Sequence, residues 1–164
     1  MKETLNGNLS IRPAKADDAA LLWNWANDSS VRERSFNQEP IAWQPHLEWF
    51  SRHLASPDTK FYLLLENNEP VGQIRYDRDE SGNSAEISFS ITKENRGRGF
   101  GTEILRLTVA RAAGDLSCRE IIGFVIEDNA ASSKAFLRAG FTTEGVTDVH
   151  GRRVFRFVWQ PSDD

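Results

Sequence analysis

Cysteine is almost missing from this sequence: Cys118 stands alone. No internal disulfide framework and no multi-cysteine zinc site can therefore form. Histidine is scarce too, and His46, His53 and His150 are too scattered to read as metal ligands. Long apolar runs are missing, and none approaches the ~18 residues that a membrane span needs. The opening stretch, MKETLNGNLSIRP, has no apolar core of a secretory signal. There is no excess of positive charge: 20 Lys+Arg stand against 24 Asp+Glu, and the isoelectric point is near 5.5. Nucleic-acid binders usually carry a basic face, so nucleic acid is not an expected partner, whereas a cationic amine is compatible. These absences lead us to expect a cytoplasmic protein with no metal and no membrane partner.

What remains is an ordinary globular balance, 39% hydrophobic and 27% charged over 164 residues, enough for one domain spanning 1–164. Leu9–Pro13 alternates as a first strand. A helix follows, with the aspartates of ADDAALLWNWAND as its N-cap, then a polar loop with room for a short helix. QPHLEWFSRHLA sets Leu47, Phe50 and Leu54 at helical spacing, with Pro45 in the first turn. KFYLLLENNEPVGQIRYD reads as two strands around a turn at Asn67–Pro70, and SAEISFSIT as a fourth strand. Gly101–Gly114 is the next helix, REIIGFVIE a buried strand, and NAASSKAFLRAGF a helix between an Asn129 cap and a Gly140 stop. Two strands around Gly151 close the chain. The order β-α-α-β-β-β-α-β-α-β-β predicts a single α/β domain with a mixed sheet.

Arg96 to Gly101 packs three glycines and two arginines into the approach to a helix. Glycines let main-chain N–H groups converge, and a helix N-terminus adds unsatisfied donors and the positive end of its dipole. This is a site for phosphate or pyrophosphate, or else a basic strand-to-helix turn. The Rossmann spacing does not fit, and the lysine of a P-loop is missing. The pattern that fits is Arg-x-x-Gly-x-Gly, here Arg96, Gly99 and Gly101, after an alternating strand. A second pattern follows beyond one strand: Asn129, Ser132, Phe136, Gly140 and Phe141.

Together these motifs and the element order resemble the GNAT superfamily of N-acetyltransferases over nearly the whole chain. The resemblance implies a single GNAT domain. Its mixed, mostly antiparallel sheet would have about seven strands with splayed central strands, beside four helices. It implies acetyl-CoA as co-substrate and direct attack by a primary amine in a ternary complex. The main chain of Arg96, Gly97, Arg98, Gly99, Phe100, Gly101 and Thr102 would hold the pyrophosphate. Phe89, Ser90 and Ile91 would meet the pantetheine arm and stabilise the developing oxyanion. Asn129, Ser132 and Phe136 would complete the coenzyme site, Asn129 also serving as a plain cap. Many superfamily members place a tyrosine hydroxyl near the thiolate where this chain has Phe136. Another group or water protonates the sulfur, or it leaves as a thiolate, as a thiol pKa near ~8.5 permits.

Glu86, Ser88 and Ser90 share one strand face, and Ile87, Phe89 and Ile91 the other. Glu86 is the first candidate base, with Ser88 beside it; Glu127 and Asp128 are rivals, and a structural partner for an arginine is the plain alternative. Cys118 reads as incidental, His53 as solvated and His150 as a turn residue. WNWANDSSVRERSF, HLEWF, PVGQIRYD and AEISFSI resemble the subgroup that acetylates nucleotide-linked amino-deoxy sugars of the pseudaminic-acid type. On that likeness Phe36, His46, Trp49 and Arg75 contribute to the acceptor site, Arg75 pairing with a diphosphate or simply with Asp77. A homodimer is expected, since relatives commonly pair. Ribosomal-type N-terminal acetyltransferases, aminoglycoside acetyltransferases and a non-catalytic acyl-CoA-binding module remain open alternatives.

Overall fold

A computed structural model describes residues 3–5 and 8–162. One sheet runs through it in the order β1-β2-β3-β4-β5-β6-β8-β7. Its strands are β1 (Glu3–Leu5), β2 (Leu9–Pro13), β3 (Thr59–Glu66), β4 (Glu69–Arg78), β5 (Ser84–Ile91), β6 (Glu120–Ile126), β7 (Thr142–Val149) and β8 (Arg152–Trp159). Each neighbouring pair is antiparallel except β5 with β6, which is parallel. The helices are α1 (Ala19–Ala26), α2 (Ser29–Glu33), α3 (Trp43–Ala55), α4 (Phe100–Leu116) and α5 (Ala130–Arg138). The expected elements are all present. The polar loop after the first helix holds the short α2, and a three-residue edge strand is added at β1.

The β3–β4 connection is tighter than the sequence implied. Only Asn67 and Asn68 form the turn, both at positive φ (50° and 71°), as a two-residue hairpin loop requires. Pro70 lies inside β4, opposite Leu65, and the register shifts beside it, which accommodates a residue with no N–H for the ladder. The aspartates before α1 do not cap it as expected. Asp18 makes no cap hydrogen bond to the helix. Its carboxylate accepts from the Lys15 amide at 2.8 Å and takes a two-pronged contact from Arg12 at 2.8 and 2.9 Å, locking β2 to the following 3-10 turn.

Two cores sit on opposite faces of the sheet. α4 covers the face of Ile74, Tyr76, Ile87 and Ile91, where the Tyr76 and Thr108 hydroxyls meet at 2.7 Å. α1 and α3 cover Phe61, Leu63 and Leu65 on the other face through Leu22 and Phe50. α5 ends as the sequence predicted: Gly140 turns at φ 94°, the Phe141 N–H reaches the Phe136 carbonyl at 3.1 Å, and the two rings stack edge-on.

Candidate active site

β5 and β6 pair only from Ser84 to Ile87 against Glu120 to Gly123. Beyond that, β5 keeps its ladder to β4 as far as Ile91, while β6 follows β8. The sheet therefore opens between Ser88–Ile91 and Phe124–Ile126, and main-chain groups on the facing edges have no strand partner. This is the expected splay of the central strands.

The glycine-rich turn stands at the head of this opening. Gly97 and Gly99 lie at φ 79° and 81°, and a Cβ on either would meet nothing within 4 Å. Gly99 precedes α4 without any side-chain cap. No acceptor among the described residues takes the N–H groups of Gly97 to Thr102. A cradle of unspent amides at the mouth of a long helix fits a diphosphate. The arginines are placed differently from one another. Arg98 is turned away onto Glu66, with Asn95 at 2.8 Å and the Phe100 ring at 4.5 Å, so it braces the turn. Arg96 donates to the Ile91 carbonyl at 3.1 Å and to Ser30 Oγ at 2.7 Å. Phe100 and Thr102 are buried, and Gly101 lets α4 approach Phe89 and Ala135, where a Cβ would stand at 3.4 and 3.3 Å. Asn129 caps α5 through the Ser132 amide at 3.4 Å and also accepts from Arg34 at 2.9 Å. Phe136 is buried among Phe89, Phe141 and Phe157, the last stacked at 5.2 Å.

On the face away from α4, a polar stripe crosses two strands. Glu86, Ser88 and Ser90 stand opposite Asp77, Arg75 and Gln73 in register. Gln73 donates to Ser90 Oγ at 3.1 Å, while its own Oε1 is buried with no partner. Arg75 pairs with Asp77 at 2.6 Å and lies over the Trp49 ring at 4.8 Å. Asp77 also accepts from Thr59 at 2.8 Å. His53 joins this cluster rather than solvent, 4.5 Å from the Trp49 ring and 3.7 Å from Asp77. Burial of the Glu86 carboxyl pushes it above the ordinary range; Arg75 opposes this, Asp77 adds to it, and His150 opposes it. A carboxyl raised in this direction is a better proton acceptor than an ordinary glutamate.

Some expected acceptor residues lie elsewhere. His46 is buried, and its Nε2–H donates to the Ala19 carbonyl at 2.9 Å, tying α3 to α1 inside the aromatic core. Phe36 is 40% exposed and meets the His150 ring at 5.5 Å. His150, expected as a turn residue, sits at φ 51° on the β7–β8 turn and adds its field to Glu86. Glycine on both sides of that turn's tip was absent as a signal; only the pairing of β8 with β6 brings the turn to the cleft. Arg34 and Arg152 were also missed, because their partners lie far along the chain. Cys118 is buried and burial raises its thiol, as befits a packing residue. Among the described residues there is no group of three or more His, Cys, Asp or Glu placed to hold a metal ion, and no helix long and apolar enough to cross a membrane.

The fold, the splay and the amide cradle define an acyl-CoA-dependent transferase. Residues 8–142 match the acetyltransferase (GNAT) domain family, and the chain belongs to it. It is 29% identical over 124 residues to a Bacillus subtilis (strain 168) protein, "Putative phosphinothricin acetyltransferase YwnH", covering 70% of this chain and 74% of that one. It is 26% identical over 132 residues to the L-2,4-diaminobutyric acid acetyltransferase of Streptomyces anulatus, covering 78% and 69%. The fold superimposes with a TM-score of 0.83 on RimL, a ribosomal L7/L12 alpha-N-protein acetyltransferase in complex with coenzyme A, at 18% identity over 100% of both chains. The chain is an N-acetyltransferase that uses acetyl-CoA.

Proposed function

We propose that this enzyme acetylates the primary amine of a small molecule, and that the acceptor is a nucleotide-linked amino-deoxy sugar. The observation that carries the reading is the stripe of Glu86, Ser88 and Ser90 against Asp77, Arg75 and Gln73, bordered by the Trp49 ring. Acetyl-CoA supplies the acetyl group as a thioester when bound. Gly97 to Thr102 hold its diphosphate through their amides, and Ser88 to Ile91 offer main-chain groups to its arm. Glu86 takes the proton from the acceptor ammonium, directly or through water. Phe136 has no proton to give, so the sulfur leaves as thiolate or takes its proton from water. A sugar amine is less basic than the ~10.4 of lysine, so modest base assistance suffices. Trp49 offers a face for a sugar or base ring.

A second reading, a free amino acid as acceptor, is favoured by the two curated relatives, which are named for phosphinothricin and 2,4-diaminobutyric acid. The test offers acetyl-CoA with a 4-amino-4,6-dideoxy nucleotide sugar, 2,4-diaminobutyrate, an aminoglycoside and an alanine- or serine-starting peptide, reading free CoA thiol. Fast turnover of the sugar nucleotide is the expected result. Turnover confined to another acceptor replaces the sugar, and acetyl-CoA binding with no thiol release for any amine would leave a non-catalytic acyl-CoA-binding module.

A further inference from the structure

Seven arginines stand against carboxylates among the described residues: Arg12 on Asp18, Arg75 on Asp77, Arg78 on Asp58, Arg98 on Glu66, Arg106 on Glu103, Arg153 on Glu127, and Arg156 on Glu120 and Glu144. Arg34 and Arg152 do not, and unlike Arg32 and Arg96, which each make several hydrogen bonds to neutral groups, each makes only one. Arg34 gives one hydrogen bond to the neutral amide oxygen of Asn129, at 2.9 Å. Arg152 gives one to the Ser35 carbonyl, at 3.1 Å. Neither has a carboxylate in ion-pair reach among the described residues, and a guanidinium has five N–H donors to place.

Their position is defined by the chain around them. Segment Ser29–Phe36 buries no residue of α2, so it is held by polar ties rather than by a core. Arg96 holds it at Ser30, Arg34 at Asn129, Arg152 at Ser35, and His150 meets it at Phe36. Arg32 places its donors on the Ala26, Asn37 and Glu39 carbonyls and so has few left for a ligand. The segment thus bridges the two sides of the open sheet, from the cofactor turn to the end of β6. Arg152 shares strand parity with Val154, which pairs with Ile126, and Ile122 on that same face pairs with Glu86. Both cations therefore lie on the acceptor side of the sheet, toward the Asn129 end of the cleft from Glu86. Beside them an open groove of about 510 Å³ is lined by Ile126, Glu127, Asp128, Gly151, Arg152 and Arg153.

We propose that Arg34 and Arg152 form an anion subsite for the acceptor, which takes a phosphate or carboxylate carried by the same molecule whose amine is acetylated. This rests on the acetyl-transfer reading above and narrows it: the acceptor carries an acidic group, set apart from its amine by the distance between this arginine pair and Glu86. Two planar forks anchored to neighbouring points of one segment, Arg34 within it and Arg152 on its Ser35 carbonyl, suit a tetrahedral or carboxylate anion better than a neutral hydroxyl. Asp128 bounds the groove and disfavours a larger negative surface there.

The first arm of the test needs no turnover. The protein is saturated with CoA, so that the amide cradle is filled, and titrated calorimetrically with inorganic pyrophosphate and with acetate. We expect Arg34→Gln and Arg152→Gln each to weaken anion binding about tenfold or more, the loss of one charge-assisted contact. Arg34→Lys and Arg152→Lys should recover part of it. Melting temperature and CoA affinity are followed for each variant, and the lysine forms decide if a glutamine form does not fold. Failure of the wild type to take up either anion, or equal binding by the variants, overturns the proposal. The second arm compares kcat/KM for anionic and neutral versions of one amine: the sugar nucleotide against its methyl glycoside, and diaminobutyrate against its amide. The ratio should fall about tenfold in the variants, and the pair that shows the fall tells phosphate from carboxylate. Lack of turnover with every amine counts against the transfer reading alone, since the titration still decides the arginines.

Discussion

Asp77 and Glu86 stand directly opposite one another across the β4–β5 ladder, on the face that carries the polar stripe. Asp77 stands as a like charge that raises Glu86, while Arg75, paired with Asp77 at 2.6 Å, opposes that. The net effect, led by burial, is a Glu86 carboxyl raised above its ordinary value.

Glu86→Gln is therefore expected to slow turnover and remove the acid limb of the pH–rate profile. In the native enzyme that limb lies above the usual ~4.3 of glutamate, because the base is active only when ionised. The same shift has a stability consequence. A raised folded pKa favours folding below the unfolded value, and that contribution is lost as pH rises through the folded value. At neutral pH the glutamine variant should melt higher than wild type, and the gap should close in acid. Thermal melts across pH check the sign, and rate profiles check the role.

Asp77→Asn removes a like charge and frees Arg75, and both changes favour ionised Glu86. The acid limb should move to lower pH. An unmoved limb in this variant, with turnover intact, would remove Glu86 from the base role.

Phe136 leaves no room at its ring tip. A Cβ on Gly123 would stand 2.4 Å from its Cζ and 2.5 Å from Cε1. Phe136→Tyr and Gly123→Ala should each cost roughly 1–3 kcal/mol through overpacking, read by denaturant melts. The added hydroxyl should bring no gain in kcat, because its path runs into β6.

At Gly99 the constraint is conformational rather than steric. With φ at 81° and open space around a Cβ, Gly99→Ala should cost about 1–2 kcal/mol of strain. Acetyl-CoA affinity should fall with it, since the strain relaxes by turning the amides away. Calorimetry with CoA measures this, and unchanged affinity would move the diphosphate off the turn.

Asp18 is a stability site far from the chemistry. Burial opposes its ionisation, but the Arg12 contact, the Lys15 amide and the nearby positive charges outweigh it and lower its pKa. A lowered folded value gives stability present above the unfolded ~3.9 and lost as pH falls through the folded value. Asp18→Asn should cost on the order of 2–3 kcal/mol at neutral pH, less than a fully buried pair because Arg12 is partly solvated. Melts should show the cost shrinking in acid.

The geometry of the glycine-rich turn and of the α5 cap was legible because its signals are local. A glycine at positive φ, an uncapped helix start and an asparagine cap each involve residues adjacent in sequence, as Gly99, Phe100 and Asn129 do. The polar stripe on β5 was legible by alternation alone. His46 misled because the likeness that placed it in the acceptor site says nothing of what packs on its helix, and α1 covers it. The aspartates before α1 misled because their composition fits a cap, while Arg12 on β2 claimed the carboxylate.

Strand alternation, helix period and glycine placement determined the elements, the glycine-rich turn before α4 and the side of β5 that carries Glu86, since each depends on bonds between near neighbours. Tertiary structure alone decided that His150 meets Phe36, that Arg75 is bound to Asp77 beneath Trp49, and that Arg34 and Arg152 are left without carboxylates among the described residues. Those outcomes depend on which distant segments the sheet order brings within a few ångströms, and charge pairing acts only at that range.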